Sequence, residues 1–549
     1  MSIAQRRLLA LFILIVIAVP LGAYMLRLPP FMGDVGAFAP GLARPDALIR
    51  TYSLAKLPPD LLKMPLAHDV LNEDFVTYYE QHEDRLALSG TVRRIAYEHR
   101  QDLPGRLIES ALDEPAEVAL WLGADGRLRH FAVVMTRNAL ARAIQTVLPV
   151  VSRAADVQLS SAGKLDGTDV DILALEYGHG RQLLLLAKGD RVVALSNPGM
   201  LFAADGERNE GDPRKQLKPA VKLMRELLES RAASPFARHF LREEALPEKR
   251  HELTLGARAF AFGYEAFMPE LKALALAFDD KGAWQSEALF NGPLPDSQAL
   301  WAALPHGPGL CAALPVDWTR MALLLNRFNT RLARPVVPAW FIDHFTGAAA
   351  VCWYKDSRFY TPLFAARLKA DADEKLVKEF FALAGASLRA GTSETFVDAE
   401  NGVALWRGKV ASRFGAPGDD GARSLEPALA ILRDTVFFSP NAALVERARD
   451  VVAKRYPALA DSFGDGGADT LAFADPGALA ALLRKETFAA LPRDEEALFR
   501  NAADAYLAPR LEALARYPAQ RIVLTEEPAP PRHNRVWRTL KWETGGAAR

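Results

Sequence analysis

Two serine–lysine pairs sit three residues apart, Ser53-Leu54-Ala55-Lys56 and Ser161-Ala162-Gly163-Lys164. Both match S-x-x-K, the spacing of the serine nucleophile and lysine in penicillin-interacting enzymes. With two fixed letters, such a match arises by chance about once or twice in a chain of this length. Neither serine opens a convincing helix, and the sequence holds no S-D-N, K-T-G or G-x-S-x-G. The densest polar run, Asn72–Arg85, carries Glu80, His82, Glu83 and Asp84, and Glu98 and His99 follow. Such a set could bind a metal or exchange protons. However, His82-Glu83 lacks the H-E-x-x-H spacing that puts two imidazoles on one helical face. A solvated amphipathic helix with Val70, Leu71, Phe75, Val76, Tyr79 and Leu86 on its apolar side explains the same run. No catalytic or metal residue is assigned. Ser53, Lys56, Ser161 and Lys164 are the candidates for nucleophilic chemistry, and Glu80, His82, Glu83 and Asp84 those for a metal.

Gly163-Lys164 lacks the G-x-x-x-x-G-K-[ST] frame of a phosphate loop, and no G-x-G-x-x-G follows a strand, so no nucleotide or other cofactor is expected. The 549 residues carry 67 Lys+Arg against 67 Asp+Glu, a balance that argues against a nucleic-acid partner. Hydrophobic residues at 50% and charged residues at 24% provide a substantial core and exclude wholesale disorder. Two cysteines are too few for a disulfide scaffold, a four-cysteine zinc module or an iron–sulfur cluster.

The elements that must position these residues begin with a membrane signal. Leu8–Leu26 carries no charge and follows Arg6 and Arg7. As a helix it would extend about 28 Å, close to the thickness of a hydrocarbon core. The arginines place a cytoplasmic N-terminus before a single transmembrane pass, with the bulk of the chain periplasmic. A cleavable signal peptide is the alternative, although Leu21 departs from the small residue expected before a cut after Ala23. Residues 27–50, rich in Pro and Gly, read as a linker.

The remainder reads as a duplication. Leu54–Leu66 aligns without a gap to Cys311–Leu323, with Leu57/Leu314, Pro58/Pro315, Asp60/Asp317 and Met64/Met321 identical. Similar patterns follow each copy. Val118–Met135 and Ala348–Leu368 read as hairpins, with Trp121 and Trp353 at equivalent positions. Helical spacing follows at Ala139–Val151 and Asp373–Ala386. Arg181–Leu201 and Pro427–Val452 read as further hairpins, the second leading into a helix capped by Ser439 with Pro440 first. Asn291–Gly309 reads as the junction. The expected fold class is α+β: an N-terminal transmembrane helix, then two duplicated halves of antiparallel sheet with packed helices. The boundaries are 1–26 for stub and anchor, 27–50 for the linker, 51–300 for the first half and 301–549 for the second. One continuous sheet built from both halves remains the alternative. Cys311 aligns with Leu54 and Cys352 with Leu120, apolar positions, so two buried free thiols are expected over a bridge.

The stretch Leu57–His99, running on to Asp113–Trp121, resembles an uncharacterised bacterial family of single-pass envelope proteins. Genes of that family often neighbour the gene of bacterial alpha-2-macroglobulin, a large protease trap. The resemblance implies an envelope location and brings no catalytic residues. The expectation is a non-enzymatic interaction protein at the inner membrane with an envelope protein partner, acting beside alpha-2-macroglobulin in envelope defence. The alternatives are an envelope serine hydrolase, or a binder of lipid or cell-wall fragments between the two halves.

Overall fold

Short apolar runs bounded by Gly, Asp or Asn turns favour buried strands, and strands dominate the computed structural model. It describes residues 41–61, 63–64, 113–123, 128–136, 157–177, 181–202, 216–229, 233–260, 270–291, 297–316, 318–319, 343–371, 373–388, 390–398, 402–417, 423–463, 469–490, 501, 503–525 and 535–544. The chain divides into two units, residues 1–263 with 273–286, and 264–272 with 287–549.

In the first unit the strands are β1 (Ala47–Thr51), β2 (Ala116–Leu122), β3 (Leu128–Thr136), β4 (Val157–Lys164), β5 (Asp171–Tyr177), β6 (Arg181–Lys188), β7 (Arg191–Leu195), β8 (Arg250–Gly256) and most of β9 (Leu271–Asp279), and unit boundaries fall near the start of β9 and within β10 (Trp284–Asn291). They pair antiparallel in the order β9-β8-β1-β2-β3-β7-β6-β5-β4. After the β2–β3 hairpin the chain runs to the far edge, returns to β3 through β7, then adds β8 and β9 beyond β1. All five residues of β1 are buried, because β1 has a neighbour on each side and both faces covered. Gly189-Asp190 closes β6 onto β7 as a two-residue turn, Gly189 supplying the positive φ of 60°. The helix Lys218–Glu229 lays Ala220, Val221, Leu223, Met224, Leu227 and Leu228 inward at helical spacing against β6 and β7.

The second unit holds β11 (Pro308–Pro315), β12 (Phe345–Tyr354), β13 (Leu363–Leu368), β14 (Thr392–Asp398), β15 (Val403–Pro417), β16 (Arg423–Leu425), β17 (Ala428–Leu432), β18 (Thr435–Ser439), β19 (Thr470–Ala474), β20 (Gln520–Leu524) and β21 (Arg535–Thr544). Here the antiparallel order is β21-β20-β19-β11-β12-β13-β18-β17-β15-β14, with β16 on the far half of β15. From β20 to β14 this is the order of the first unit, strand for strand. One sheet face is covered by a core that includes Trp301, Cys311, Cys352, Leu405, Phe437 and Leu444. The other packs Phe345, Trp406 and Ile431 against Phe380 and Phe381 of the helix Glu374–Leu388.

The structure corrects several expectations. The fold class is not the α+β arrangement behind a transmembrane helix: it is a large, mostly antiparallel β architecture, with 21 strands among the described residues. No described helix is long and apolar enough to cross a membrane. The stretch Leu8–Leu26 itself lies outside the described residues, as does Ala139–Val151. The linker expected over 27–50 gives way to buried β1 from Ala47, since Ala-Leu-Ile-Arg-Thr fills a central strand. The junction Asn291–Gly309 contributes Leu300, Trp301 and Leu304 to the second unit's core. Asn441, two residues after Ser439 and one after Pro440, caps the helix Ala442–Val452 by accepting from Ala443 N at 3.2 Å.

The thirteen-residue match is out of register with the shared strand order. Thr51 ends β1 and Pro315 ends β11, whereas the ungapped alignment sets Leu54 against Cys311. Ala47 faces Leu120 as Cys311 faces Cys352, and Trp121 and Trp353 are the next residues in each case. Leu57 therefore opens the helix Leu57–Leu61 while Leu314 lies in β11. The same register overturns the free thiols. Cys311 and Cys352 are directly opposed on β11 and β12, with Cα atoms 4.0 Å apart, and they form a disulfide. Aligning Cys311 with Leu54 concealed that opposition.

Candidate functional site

Among the described residues of the first unit, a dense set of chemistry-bearing side chains gathers where β1, β8 and the helix Leu57–Leu61 meet. β1 delivers Thr51, and the β8 register sets His251 directly opposite it. The chain then turns through Ser53, whose Oγ accepts from Lys56 N at 3.1 Å, and the helix brings Asp60 back toward the imidazole. Thr51 Oγ1 lies 2.7 Å from His251 Nδ1, and His251 Nε2 lies 3.0 Å from Asp60 Oδ2. Tyr52 donates its hydroxyl to the same Asp60 oxygen at 2.8 Å, and Lys63 Nζ reaches Asp60 Oδ1 at 2.6 Å. Lys63 also donates to Asp280 O in the turn after β9. Gly282 in that turn has φ +83°, and a Cβ there would sit 2.6 Å from Lys63 O, so only glycine allows this approach.

Hydroxyl, imidazole and carboxylate stand in the order that activates a nucleophile. Access decides otherwise. Thr51 is 2% exposed, His251 0% and Asp60 2%, with the Tyr52 and Phe278 rings tilted against the imidazole at centroid distances of 4.7 and 4.9 Å. Ser53 N donates to Thr51 Oγ1 at 3.0 Å, committing the hydroxyl further. Burial pushes the His251 imidazole below its ordinary value, against the pull of Asp60. A neutral ring that donates from Nε2 to Asp60 accepts at Nδ1 from the Thr51 hydroxyl, whose single hydrogen is shared between that nitrogen and Ser53 O, each 2.7 Å away. Burial works to raise the Asp60 carboxyl, but Lys63, His251 and Tyr52 together hold it below the usual carboxylate value. Burial, then the neighbouring Asp60 carboxylate, pushes the Tyr52 hydroxyl upward. The arrangement stitches two strands to a helix and keeps Asp60 ionised in the core. In the second unit the place of Thr51 belongs to Pro315, which has no hydroxyl.

Neither S-x-x-K forms a serine–lysine dyad. Lys56 Nζ reaches Asp113 Oδ1 at 3.0 Å and lies over the Tyr52 ring, while the wholly buried Ser53 serves the backbone. Ser161 and Lys164 lie exposed on β4, separated by a bulge at Ala162. Glu80, His82, Glu83 and Asp84 lie outside the described residues. No group of three His, Cys, Asp or Glu side chains suited to a metal occurs among the described residues. Spacing had no way to reveal His251, which lies 191 residues from Asp60. Asp60 was visible only as an identity shared with Asp317.

The serines carry a prediction. Ser53→Ala removes the buried acceptor of Lys56 N in the turn before the helix and is expected to cost about 1 kcal/mol in urea unfolding. Ser161→Ala, exposed on its strand, should stay within about 0.5 kcal/mol. A loss of several kcal/mol at Ser161 would contradict this placement.

A family model described as "Uncharacterized protein conserved in bacteria (DUF2138)" matches residues 24–542. The protein from Escherichia coli (strain K12) called "Uncharacterized protein YfaA" is 30% identical over 534 residues, covering 91% of this chain and 90% of the relative. No solved structure matches the chain.

Proposed function

The chain belongs to the DUF2138 family of bacterial proteins, and on that premise we propose that it is a non-enzymatic interaction protein of the cell envelope. Its β-rich bulk works in the periplasm, and the apolar stretch Leu8–Leu26 behind Arg6 and Arg7 associates it with the inner membrane. The observation that carries the compartment is the Cys311–Cys352 disulfide. Disulfides persist in oxidising compartments and are rare in the cytosol. Binding over turnover is supported by the fate of the reactive side chains. Ser53, Thr51, His251 and Asp60 are buried and spend their polar atoms on one another or on nearby backbone. The partner proposed is alpha-2-macroglobulin, on the strength of the gene neighbourhood that the family resemblance implies.

Cross-linking in cells followed by purification from membrane extract tests this reading. The expected result is co-purification of alpha-2-macroglobulin or another envelope protein. Labelling of the chain by a fluorescent penicillin or fluorophosphonate, abolished by Ser53→Ala or Ser161→Ala, would overturn it in favour of a hydrolase.

A further inference from the structure

In the second unit, the turn between β12 and β13 is fastened along its length. Ser357, wholly buried, accepts from Tyr354 N at 3.0 Å and donates to Tyr354 O at 2.8 Å. Thr361 Oγ1 accepts from Arg358 N at 2.9 Å, and Trp353 Nε1 donates to Phe359 O at 3.0 Å. Lys485, on the helix Pro476–Ala490, donates to Asp356 O at 3.1 Å and to Ser357 O at 2.7 Å. Glu486 of the same helix pairs with Arg358 at 2.6 Å, and Arg447 of the helix Ala442–Val452 pairs with Asp356. A turn fixed this firmly still leaves the Phe359 ring, in its middle, 44% exposed. Because its backbone is already ordered, that ring gives up little entropy when a second surface takes it in.

Charge indicates the surface. The turn and the side chains that grip it bring four cations, Lys355, Arg358, Arg447 and Lys485, against two carboxylates, Asp356 and Glu486. Lys355 is exposed and forms no ion pair among the described residues. Lys485 meets carbonyl oxygens rather than a carboxylate, and burial, then the neighbouring Arg358, holds its ammonium below the ordinary lysine value. This is a place short of anions. A specific protein partner would need about 800 Å² of matched surface on each side, whereas one ring beside excess positive charge suits a bilayer boundary. There the ring enters the acyl edge and the cations meet lipid phosphates. One ring and a few cations bind weakly by themselves. In a chain held at the membrane by Leu8–Leu26, the effective concentration is on the order of millimolar or higher, enough to keep a weak contact occupied. We propose that the β12–β13 turn docks on an anionic phospholipid surface, with Phe359 inserted and Lys355 against the headgroups. This rests on the reading of the chain as a membrane-associated envelope protein and gives its second unit a bilayer contact of its own.

The test uses Phe359→Cys in the full chain, whose native cysteines are bridged, so that an environment-sensitive fluorophore attaches at position 359 alone. The labelled chain is reconstituted into vesicles of phosphatidylcholine, or of phosphatidylcholine and phosphatidylglycerol in equal parts. In the mixed vesicles the emission should shift to the blue and be quenched by lipids spin-labelled near the headgroup. In phosphatidylcholine alone it should report water. Lys355→Glu, an exposed change, should lower the docked fraction severalfold, and high salt should do the same. The same fluorophore on Ser161→Cys, exposed on β4, controls for insertion by the dye and should report water throughout. No shift in the mixed vesicles, an equal shift in both kinds, or a shift at position 161 as large as at 359 would overturn the proposal. A shift that arises only on adding envelope protein would assign the turn to a protein partner and overturn it as well. A chain that floats with the vesicles while its label at 359 reports water would leave the membrane reading standing and sink this docking alone.

Discussion

Replacing Asp60 with alanine is expected to cost about 3 kcal/mol of stability. The substitution removes the acceptor shared by the His251 Nε2–H and the Tyr52 hydroxyl and leaves a wholly buried imidazole donor without a partner. An unsatisfied buried donor costs about 1–3 kcal/mol, and here two lose their acceptor. Lys63 adds little, because its side chain is half exposed and water replaces the carboxylate. Lys63→Met should therefore cost less than about 1 kcal/mol, and the contrast between the two variants isolates the buried part of the network. The pH dependence follows in sign. The His251 imidazole is held below its ordinary value, so its contribution is fully present above the unfolded value near 6.5 and is lost as acid charges the unfolded chain first. The Asp60 carboxyl is also lowered, so its contribution is present above the unfolded carboxylate value and is lost as pH falls through the folded one. Both act in one direction, so stability declines from about pH 6 downward; Asp60→Ala removes the carboxylate that pulls the imidazole upward and therefore steepens the part of the decline that the imidazole causes between pH 7 and pH 5. Urea midpoints at pH 7 and pH 5 measure it. Equal losses on acidification in the wild type and Asp60→Ala would remove the network from the account.

The second large effect is at the disulfide. Cys311→Ala with Cys352→Ala should destabilise the protein by about 3–4 kcal/mol, since the bridge closes a loop over a sequence separation of 41 residues. For a unit of this size that corresponds to a fall on the order of 10 °C in the unfolding temperature. Calorimetry with and without a strong reductant reads it directly. Reductant should lower the wild-type transition to that of the double variant and leave the variant unmoved. A wild type indifferent to reductant would mean that the opposed strands hold these positions without the bond.

Much of the strand pattern was legible from local signals. The hairpins Val118–Met135, Arg181–Leu201 and Ala348–Leu368 each announced themselves through apolar runs flanking a polar turn, because hairpins are made by neighbours in sequence. Helix Glu374–Leu388 was legible for the same reason, its Leu376, Phe380 and Phe381 falling on one face. Register was not legible. Leu54–Leu66 resembles Cys311–Leu323 in letters, yet one copy turns into a helix after β1 while the other begins inside β11, because strand ends are set by pairing partners far along the chain. The same limit hid the disulfide, a fact of cross-strand opposition, and the Thr51–His251–Asp60 network, whose members meet only once β8 pairs with β1. The S-x-x-K spacings were legible and misleading. Local sequence could not show that Ser53 would face its own helix backbone or that Lys56 would reach Asp113.

The central claim, a binding protein that lives in an oxidising compartment, is most directly tested by the redox state of Cys311 and Cys352 in protein taken from the cell. Cells are quenched in acid, free thiols are alkylated under denaturing conditions without reductant, and the intact chain is weighed by mass spectrometry. The account predicts a chain that gains no alkyl group until it is reduced and then gains two, with Cys311 and Cys352 recovered as one cross-linked peptide pair from the unreduced digest. A chain that gains two alkyl groups before reduction would contradict it and return the protein to a reducing compartment.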